Sequence, residues 1–367
     1  MLTLLHVEHF RNLAPLTWSP GPGRHLLLGG NGAGKTSLLE AVYAVATTRS
    51  FRTPRLAECV HHGSASFRLG AEVEDRARAT LAVAYGPGGL ERSVNGARGS
   101  LAEHLGVLPV VAWTSADVEV VTGPPGLRRR FLDRGVVSLR PGALATLRRY
   151  RDALSEKRQL LARRGGGFES GAGPALPEPD TLGTWNRVLA PAAVEVAGLR
   201  RAYAERLGRR LREVLEETGL PFPQVALAYR PSPEAALGEP EALAERLDRA
   251  SRAELRRGIP LLGPHRDDLE ILWGGHPVAR VASAGERKAL SIALVAAHGR
   301  VLEAAGRAPA YLLDDLDAEL APETLAAVWR LFPGTRQLVA TSNRPAVWEG
   351  LEAEHRSRLV AGALREG

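Results

Sequence analysis

The chain has 367 residues with 48 basic and 41 acidic side chains, a formal net charge of +7. Apolar runs reach only about seven residues, far below the ~20 a membrane-spanning helix needs, and His6, Glu8, His9 and Arg11 interrupt any secretory signal. The lone cysteine, Cys59, excludes an internal disulfide and cysteine-built zinc sites, so a reducing, cytoplasmic setting without a membrane partner is expected.

Leu2 to Val7 and Arg24 to Leu28 predict short strands, the second leading into a glycine-rich turn. Behind Lys35, Leu38, Leu39, Val42 and Val45 recur at spacings of three and four, the pattern of an amphipathic helix. From 67 to 95 the pattern alternates, Phe67, Leu69, Ala71 and Val73 sharing one face. That predicts an antiparallel sheet, with Asn95-Gly96 as a hairpin turn.

Residues 126–257 turn helical and rich in Arg, Ala and Glu. Leu147, Tyr150, Leu154 and Leu161 mark one helix; Leu182, Trp185 and Leu189 mark a second; Val196 to Leu211 mark a third, after Pro191. The Gly/Pro-rich stretch 165–180 reads as a loop or a disordered segment. Strand–turn–helix patterning returns at 258. The expected organisation is an α/β head formed by 1–125 and 258–367, split by a helical insertion lobe, 126–257. Pro191 and the loop limit that lobe to short helices, at ~1.5 Å per residue, so no long coiled coil is expected.

Gly29-Gly30-Asn31-Gly32-Ala33-Gly34-Lys35-Thr36 matches the phosphate-binding loop G-x-x-x-x-G-K-[ST] between a strand and a helix, with Ser37 behind it. Its amides would wrap the phosphates of ATP, Lys35 would meet the β- and γ-phosphates, and Thr36 would ligate Mg²⁺. Ala310 to Leu313 is an apolar strand ending in Asp314-Asp315. Asp314 reads as the second metal ligand and Asp315 as the general base for water. Ser283-Ala284-Gly285-Glu286 precedes an apolar helix and lies 31 residues before Asp314. Ser283 suits both an N-cap and a phosphate ligand.

These elements resemble the ABC-type ATPases, whose signature segment precedes the acidic strand. The whole chain further resembles the RecF family, related to SMC heads. The resemblance rests on Phe10-Arg11-Asn12, Leu38-Leu39-Glu40-Ala41, Ser50-Phe51-Arg52, Arg128-Arg129-Arg130-Phe131-Leu132-Asp133 and Gly263-Pro264-His265-Arg266-Asp267-Asp268. It implies an ABC-type ATPase head with an antiparallel β subdomain, and Arg11 and Asn12 at the nucleotide. It implies that Ser283 to Glu286 act in trans, completing the site of a second copy in an ATP-dependent homodimer. It also implies weak, DNA-stimulated ATP hydrolysis, binding to double-stranded DNA and gap junctions, RecR and RecO mediators as partners, and RecA loading during DNA repair and replication restart.

The sequence departs from that pattern in places. Ala284 and Glu286 stand where glycine and glutamine are usual, and the turn after Asp315 carries Ala318 and Ala321 in place of serine and aspartate. After the strand Gln337 to Ala340, Thr341-Ser342-Asn343 replaces a switch histidine, leaving Thr341 or Ser342 to meet the γ-phosphate. Asp117 is the candidate for the missing glutamine of the Q-loop. His265 reads as a structural residue in a His–Asp network rather than as a base.

Lysine occurs only at 35, 157 and 288, and the other 45 basic residues are arginine, as in a GC-rich genome. Lys35 is in the loop, Lys288 follows the signature, and Lys157 reads as an ordinary helix residue. Residues 128–164 hold 12 basic and 3 acidic side chains, so the positive charge gathers at the start of the insertion. Arg128, Arg129, Arg130, Arg148, Arg149 and Arg151 are the candidate DNA contacts, suited to phosphates rather than to base reading. Two other readings remain: the ATPase subunit of a membrane transporter, and a DNA scaffold that binds ATP without turning it over.

Overall fold

A computed structural model describes residues 1–75, 77–162, 179–233, 238–332 and 337–366. Residues 165–178 of the expected loop, with Arg163 and Arg164, lie outside the described residues. The chain divides into two compact units. The first is Met1–Thr122, Arg209–Pro223 and Val281–Gly367; the second is Gly123–Gly208 and Gln224–Arg280.

The first unit begins with β1 (Leu2–Glu8), β2 (Leu16–Trp18), β3 (Arg24–Leu28) and α1 (Lys35–Thr47). Next come β4 (Phe67–Glu74), β5 (Arg78–Gly86), β6 (Gly89–Val94), α2 (Leu101–Val107), β7 (Val110–Trp113) and α3 (Val118–Thr122). The antiparallel sheet has the order β2-β1-β4-β5-β6. Strand β4 buries every second residue, Phe67, Leu69, Ala71 and Val73, matching the alternation in the sequence, whereas β6 has no fully buried residue. Asn95 and Gly96 do form a tight turn, both with positive φ, and Val94 and Ala97 exchange backbone hydrogen bonds across it. The turn only ends β6, however, and the β5–β6 hairpin closes earlier, at Gly86–Gly89.

Next in the chain are α4 (Pro125–Leu139), α5 (Ala143–Ala162), α6 (Pro179–Thr218), β8 (Val225–Arg230), α7 (Pro240–Arg257), β9 (Asp268–Trp273), β10 (His276–Pro277) and α8 (Val278–Val281), all in the second unit except α6 from Arg209 onward and Val281. Two expectations are corrected. The insertion is not purely helical, because β8 pairs antiparallel with β9, which also draws residues beyond 257 into this unit. Nor does Pro191 break the chain: α6 is one helix of 40 residues. Pro191 itself is exposed, so the carbonyl it leaves unbonded can meet water, while Leu189, Ala190, Ala193, Val196 and Ala197 on the other side are buried against α5 and α7.

The first unit is completed by α9 (Ala284–Glu303), β11 (Ala310–Leu313), α10 (Pro322–Trp329), β12 (Leu338–Ser342), β13 (His355–Val360) and β14 (Ala363–Glu366). Its second sheet has the order β14-β13-β3-β12-β11-β7, parallel except for β14. The carboxyl ends of β3 and β11 therefore lie on the same side, which carries the phosphate loop and the paired aspartates to one edge. Helix α1 packs in one core with residues of both sheets. It is buried almost all round rather than along the single stripe its leucine spacing predicts.

Candidate nucleotide site

The phosphate loop links β3 to α1. Gly34 caps α1 with a φ of 107°, a left-handed conformation that disfavours other residues. Gly29 is required for a different reason: a Cβ there would sit 2.6 Å from the Leu359 carbonyl oxygen of β13. At Gly30 and Gly32, both exposed, an added Cβ would meet nothing within 4 Å, so the loop is open to solvent at these positions. The loop is braced from behind. The Asn12 amide donates to the Gly32 carbonyl at 2.7 Å, Ser37 donates to Asn12 Oδ1 at 2.7 Å, and Gly362 N–H donates to the Ala33 carbonyl at 2.9 Å. Lys35 Nζ donates to the carbonyls of Gly29 and Gly30 at 2.9 and 3.1 Å.

The metal ligands expected from the sequence meet. Thr36 Oγ1 donates to Asp314 Oδ1 at 2.9 Å. Thr341 Oγ1 donates to the same Oδ1 at 2.9 Å and accepts the Asp315 N–H at 2.8 Å. Thr341 thus holds the two aspartates in register. Burial pushes the Asp314 carboxyl above the usual carboxylate range, against the hydrogen bonds from Thr341 and Thr36. Asp315 reinforces the rise and the Arg52 guanidinium opposes it. Asp315 itself is exposed, on a backbone with a φ of 45°.

Ser283 caps α9 in a capping box: its Oγ accepts the Glu286 N–H at 3.3 Å, and its own N–H donates to Glu286 Oε2 at 2.7 Å. Ser283, Ala284 and Gly285 are exposed, and a Cβ on Gly285 would meet nothing within 4 Å. Nothing inside the described chain demands glycine there. Ser342 is buried and its Oγ accepts the Arg344 N–H, whereas Asn343 reaches the loop, its amide donating to Asn31 Oδ1 at 2.9 Å. Asp117, the Q-loop candidate, accepts from the Thr114 N–H at 2.9 Å and caps its own turn.

The family model of the RecF/RecN/SMC N-terminal domain matches residues 1–360. A DNA replication and repair protein RecF of Myxococcus xanthus is 34% identical over 364 residues, 96% of this chain and 93% of the relative. The chain belongs to the RecF family. A second RecF, from an Anaeromyxobacter species, is 35% identical over 94% of this chain and 93% of its own. Among solved structures, a recombination mediator RecF with ATP superposes with a TM-score of 0.85 at 25% identity, covering 100% of this chain and 97% of that one. An SMC head bound to a winged-helix domain of ScpA shares the fold at a TM-score of 0.58 and 15% identity, over 99% of this chain and 96% of that one.

Three of the RecF-like stretches converge on one carboxylate. Glu40 is fully buried and accepts two bonds from Arg11, at 2.9 and 2.6 Å, one from Ser50 at 2.5 Å and one from Arg52 at 3.4 Å. Arg11, expected at the nucleotide, is thus held by Glu40, while Asn12 does reach the phosphate loop. Sequence reasoning gave no role to Arg52, which is near enough to Asp314 to act on its charge. Its only signal was its place in the Ser50-Phe51-Arg52 stretch.

The other two stretches form a charge network in the second unit. Arg128 makes a two-pronged pair with Asp268, at 2.7 and 2.8 Å, and Arg129 donates to the Asp267 carbonyl at 2.6 Å. Arg200 joins Asp133 at 2.7 Å to Asp267 at 3.1 Å, and Tyr229 also donates to Asp267. Two of the six expected DNA contacts are therefore committed to aspartates and a carbonyl of their own unit. Arg130, Arg148, Arg149 and Arg151 are exposed, with Arg149 paired to Glu195 at 2.7 Å. His265 sits beside this network, but its partners are Tyr150, at 2.8 Å from Nδ1, and the Pro260 carbonyl, not an aspartate. Burial pulls its pKa down to about 4.

All three lysines are buried. Lys157 is no ordinary helix residue: it is fully enclosed, pairing with Glu254 at 2.7 Å and donating to Asn186 at 2.7 Å. Lys288 lies under the turn that follows Asp315.

Proposed function

We propose that this chain is an ATP-dependent DNA-binding ATPase of recombinational repair and replication restart. The observation that carries the reading is the meeting of Thr36 and Asp314, with Asp315 held beside them through Thr341, next to a glycine loop that is open at Gly30 and Gly32. The donor set next to the loop is a hydroxyl and a carboxylate, all oxygen, which suits Mg²⁺. Thr36 and Asp314 would hold that ion, which neutralises charge on the β- and γ-phosphates when bound. The loop amides and the α1 N-terminus bind and orient the phosphates. Lys35 adds a point charge there, and exposed Asp315 takes the proton of the attacking water.

Ser283 to Glu286 of a second copy would close the site, so ATP joins two heads and hydrolysis parts them. Slow opening would make hydrolysis a weak, DNA-stimulated timer. The joined heads would clamp duplex DNA near single-strand gaps. The RecF relatives support a place beside RecR- and RecO-type mediators, promoting RecA loading.

The test is sedimentation with and without ATP, combined with binding to gapped and duplex DNA over a salt series. ATP should shift wild type to a dimer and tighten DNA binding. Lys35→Ala should lose ATP binding, and Ser283→Arg should bind ATP yet stay monomeric. An oligomer indifferent to ATP overturns the reading. One observation favours the scaffold alternative: Thr341, where a switch histidine is usual, offers no proton acceptor at neutral pH. Steady-state phosphate release that Asp315→Asn abolishes would dismiss it.

A further inference from the structure

Lys288 sits one turn into the signature helix α9, yet it is 5% exposed. Its ammonium lies 5.1 Å from the Trp113 ring centroid and donates to the carbonyl of Ala318, in the turn that begins at Asp315. Trp113 is fixed in turn: its indole N–H donates to Ser291 Oγ at 2.9 Å, Ser291 donates to the Lys288 carbonyl at 2.7 Å, and the Trp113 carbonyl accepts the Asp314 N–H at 3.0 Å. One ammonium therefore touches the signature helix, the strand end that holds Asp314, and the turn beyond Asp315. Next to that carbonyl is Asp317, 1% exposed, whose Oδ2 has no hydrogen-bond partner among the described residues. A buried carboxylate oxygen without a donor is costly to maintain. Asp315, Asp317 and Glu319 all act on the Lys288 charge, against the burial that disfavours it.

We propose that Lys288 is a positioning residue that ties the signature helix to the turn carrying Asp315, with Asp317 as its alternative acceptor. Neighbouring residues of one turn offer the ammonium two acceptors: the Ala318 carbonyl it holds and the Asp317 Oδ2 that lacks a donor among the described residues. A contact that moves the exposed start of α9 moves Lys288 between them and shifts the backbone that aims Asp315. Lysine suits this better than arginine, because a point charge can exchange acceptors within a small enclosure where a planar fork cannot. The consequence for turnover rests on the reading of Asp315 as the base; the tie itself does not.

The test uses Lys288→Met and the double variant Lys288→Met/Asp317→Leu in the full chain. The single variant leaves the enclosed Asp317 carboxyl without its neighbouring cation, so its melting temperature should fall. The double variant removes both charges, and its melting temperature should recover. Hydrogen exchange of residues 315–320 should stay at least fivefold faster than wild type in the double variant, with β12 unchanged. ATP binding should remain within twofold, and single-turnover hydrolysis should stay at least tenfold slower. Exchange at the wild-type rate in the double variant overturns the tie. Loosened exchange with full hydrolysis overturns its role in aiming Asp315. If wild type itself releases no phosphate, the reading of Asp315 as base falls, while the exchange measurement still decides the tie.

Discussion

The Thr36 hydroxyl donates to both carboxylate oxygens of Asp314, at 2.9 and 3.1 Å, across 278 residues of sequence. The phosphate loop and the acidic strand are thereby joined by the two groups expected to share a metal. Burial sets the behaviour of the pair, because it raises the Asp314 carboxyl above its ordinary value.

From this follows a trade between stability and function. Above its raised pKa, the folded protein holds a carboxylate charge that the unfolded chain would carry more easily in water. Asp314→Asn removes that charge and keeps the shape. At pH 7.5, without nucleotide or metal, its melting temperature should rise by about 2 °C, for ~1 kcal/mol relieved. ATP hydrolysis by the same variant should fall by about a hundredfold or more, as expected for a lost metal ligand. A melting temperature below wild type would contradict the assignment of burial as the dominant cause.

Arg11 and Glu40 give a second test. Arg11→Ala removes the main partner of a fully buried carboxylate, leaving Ser50, the half-exposed Arg52 and the Cys59 thiol. Loss of one partner of a buried pair costs about 3–5 kcal/mol. Arg11→Ala/Glu40→Met should cost less than Arg11→Ala alone, as read by urea denaturation. If Arg11 instead served the nucleotide directly, Arg11→Ala would weaken ATP binding at full stability.

His265 makes a pH prediction. Its folded pKa of about 4 lies below the ordinary value of 6.5. Above pH 6.5 both states hold a neutral imidazole and the residue has no pH-dependent effect. As pH falls from 6.5 to about 4, the unfolded chain takes up a proton that the folded protein refuses, so stability is lost by up to about 3 kcal/mol. Thermal melts between pH 7.5 and 5 should therefore show a decline that His265→Asn flattens.

The two arginine groups should separate in DNA binding. Arg148 and Arg151 are exposed on α5, and Arg148→Glu/Arg151→Glu should weaken binding to all sequences and reduce the salt slope by about two. Arg128→Ala should instead lower the melting temperature, since it leaves Asp268 without its two-pronged partner. Equal loss of DNA affinity from both variants, at unchanged stability, would put Arg128 back at the interface.

The nucleotide site was legible because its chemistry is written in contiguous residues. Gly29 to Thr36 needs only a strand before it and a helix after it, and Asp314-Asp315 needs only the apolar strand it ends. Ser283 announces its cap by its place before the apolar helix, and the structure adds Glu286 as the second half of a capping box. The charged insertion misled for the opposite reason. Formal charge counts Arg128 and Arg129 alike with Arg148, and their partners Asp268 and Asp267 lie 140 and 138 residues away. The strand β8 and the passage of α6 through Pro191 were hidden similarly, since each depends on tertiary partners that override local preference. Burial of Lys157 and Lys288 left no local mark, because nothing beside them in sequence names Glu254 or Ala318.

The enclosure of all three lysines has a consequence for how the surface charge is controlled. Every positively charged side chain that this protein turns to solvent, histidine aside, is a guanidinium. Such a surface keeps its charge from neutral pH past 12. Acetylation, the common means of discharging a basic face, has no side-chain amine to act on there, because the only such amines lie under the phosphate loop, within the second unit's core and beneath the turn after Asp315. Lysine acetylation therefore has no means of tuning whatever attraction this surface has for a polyanion.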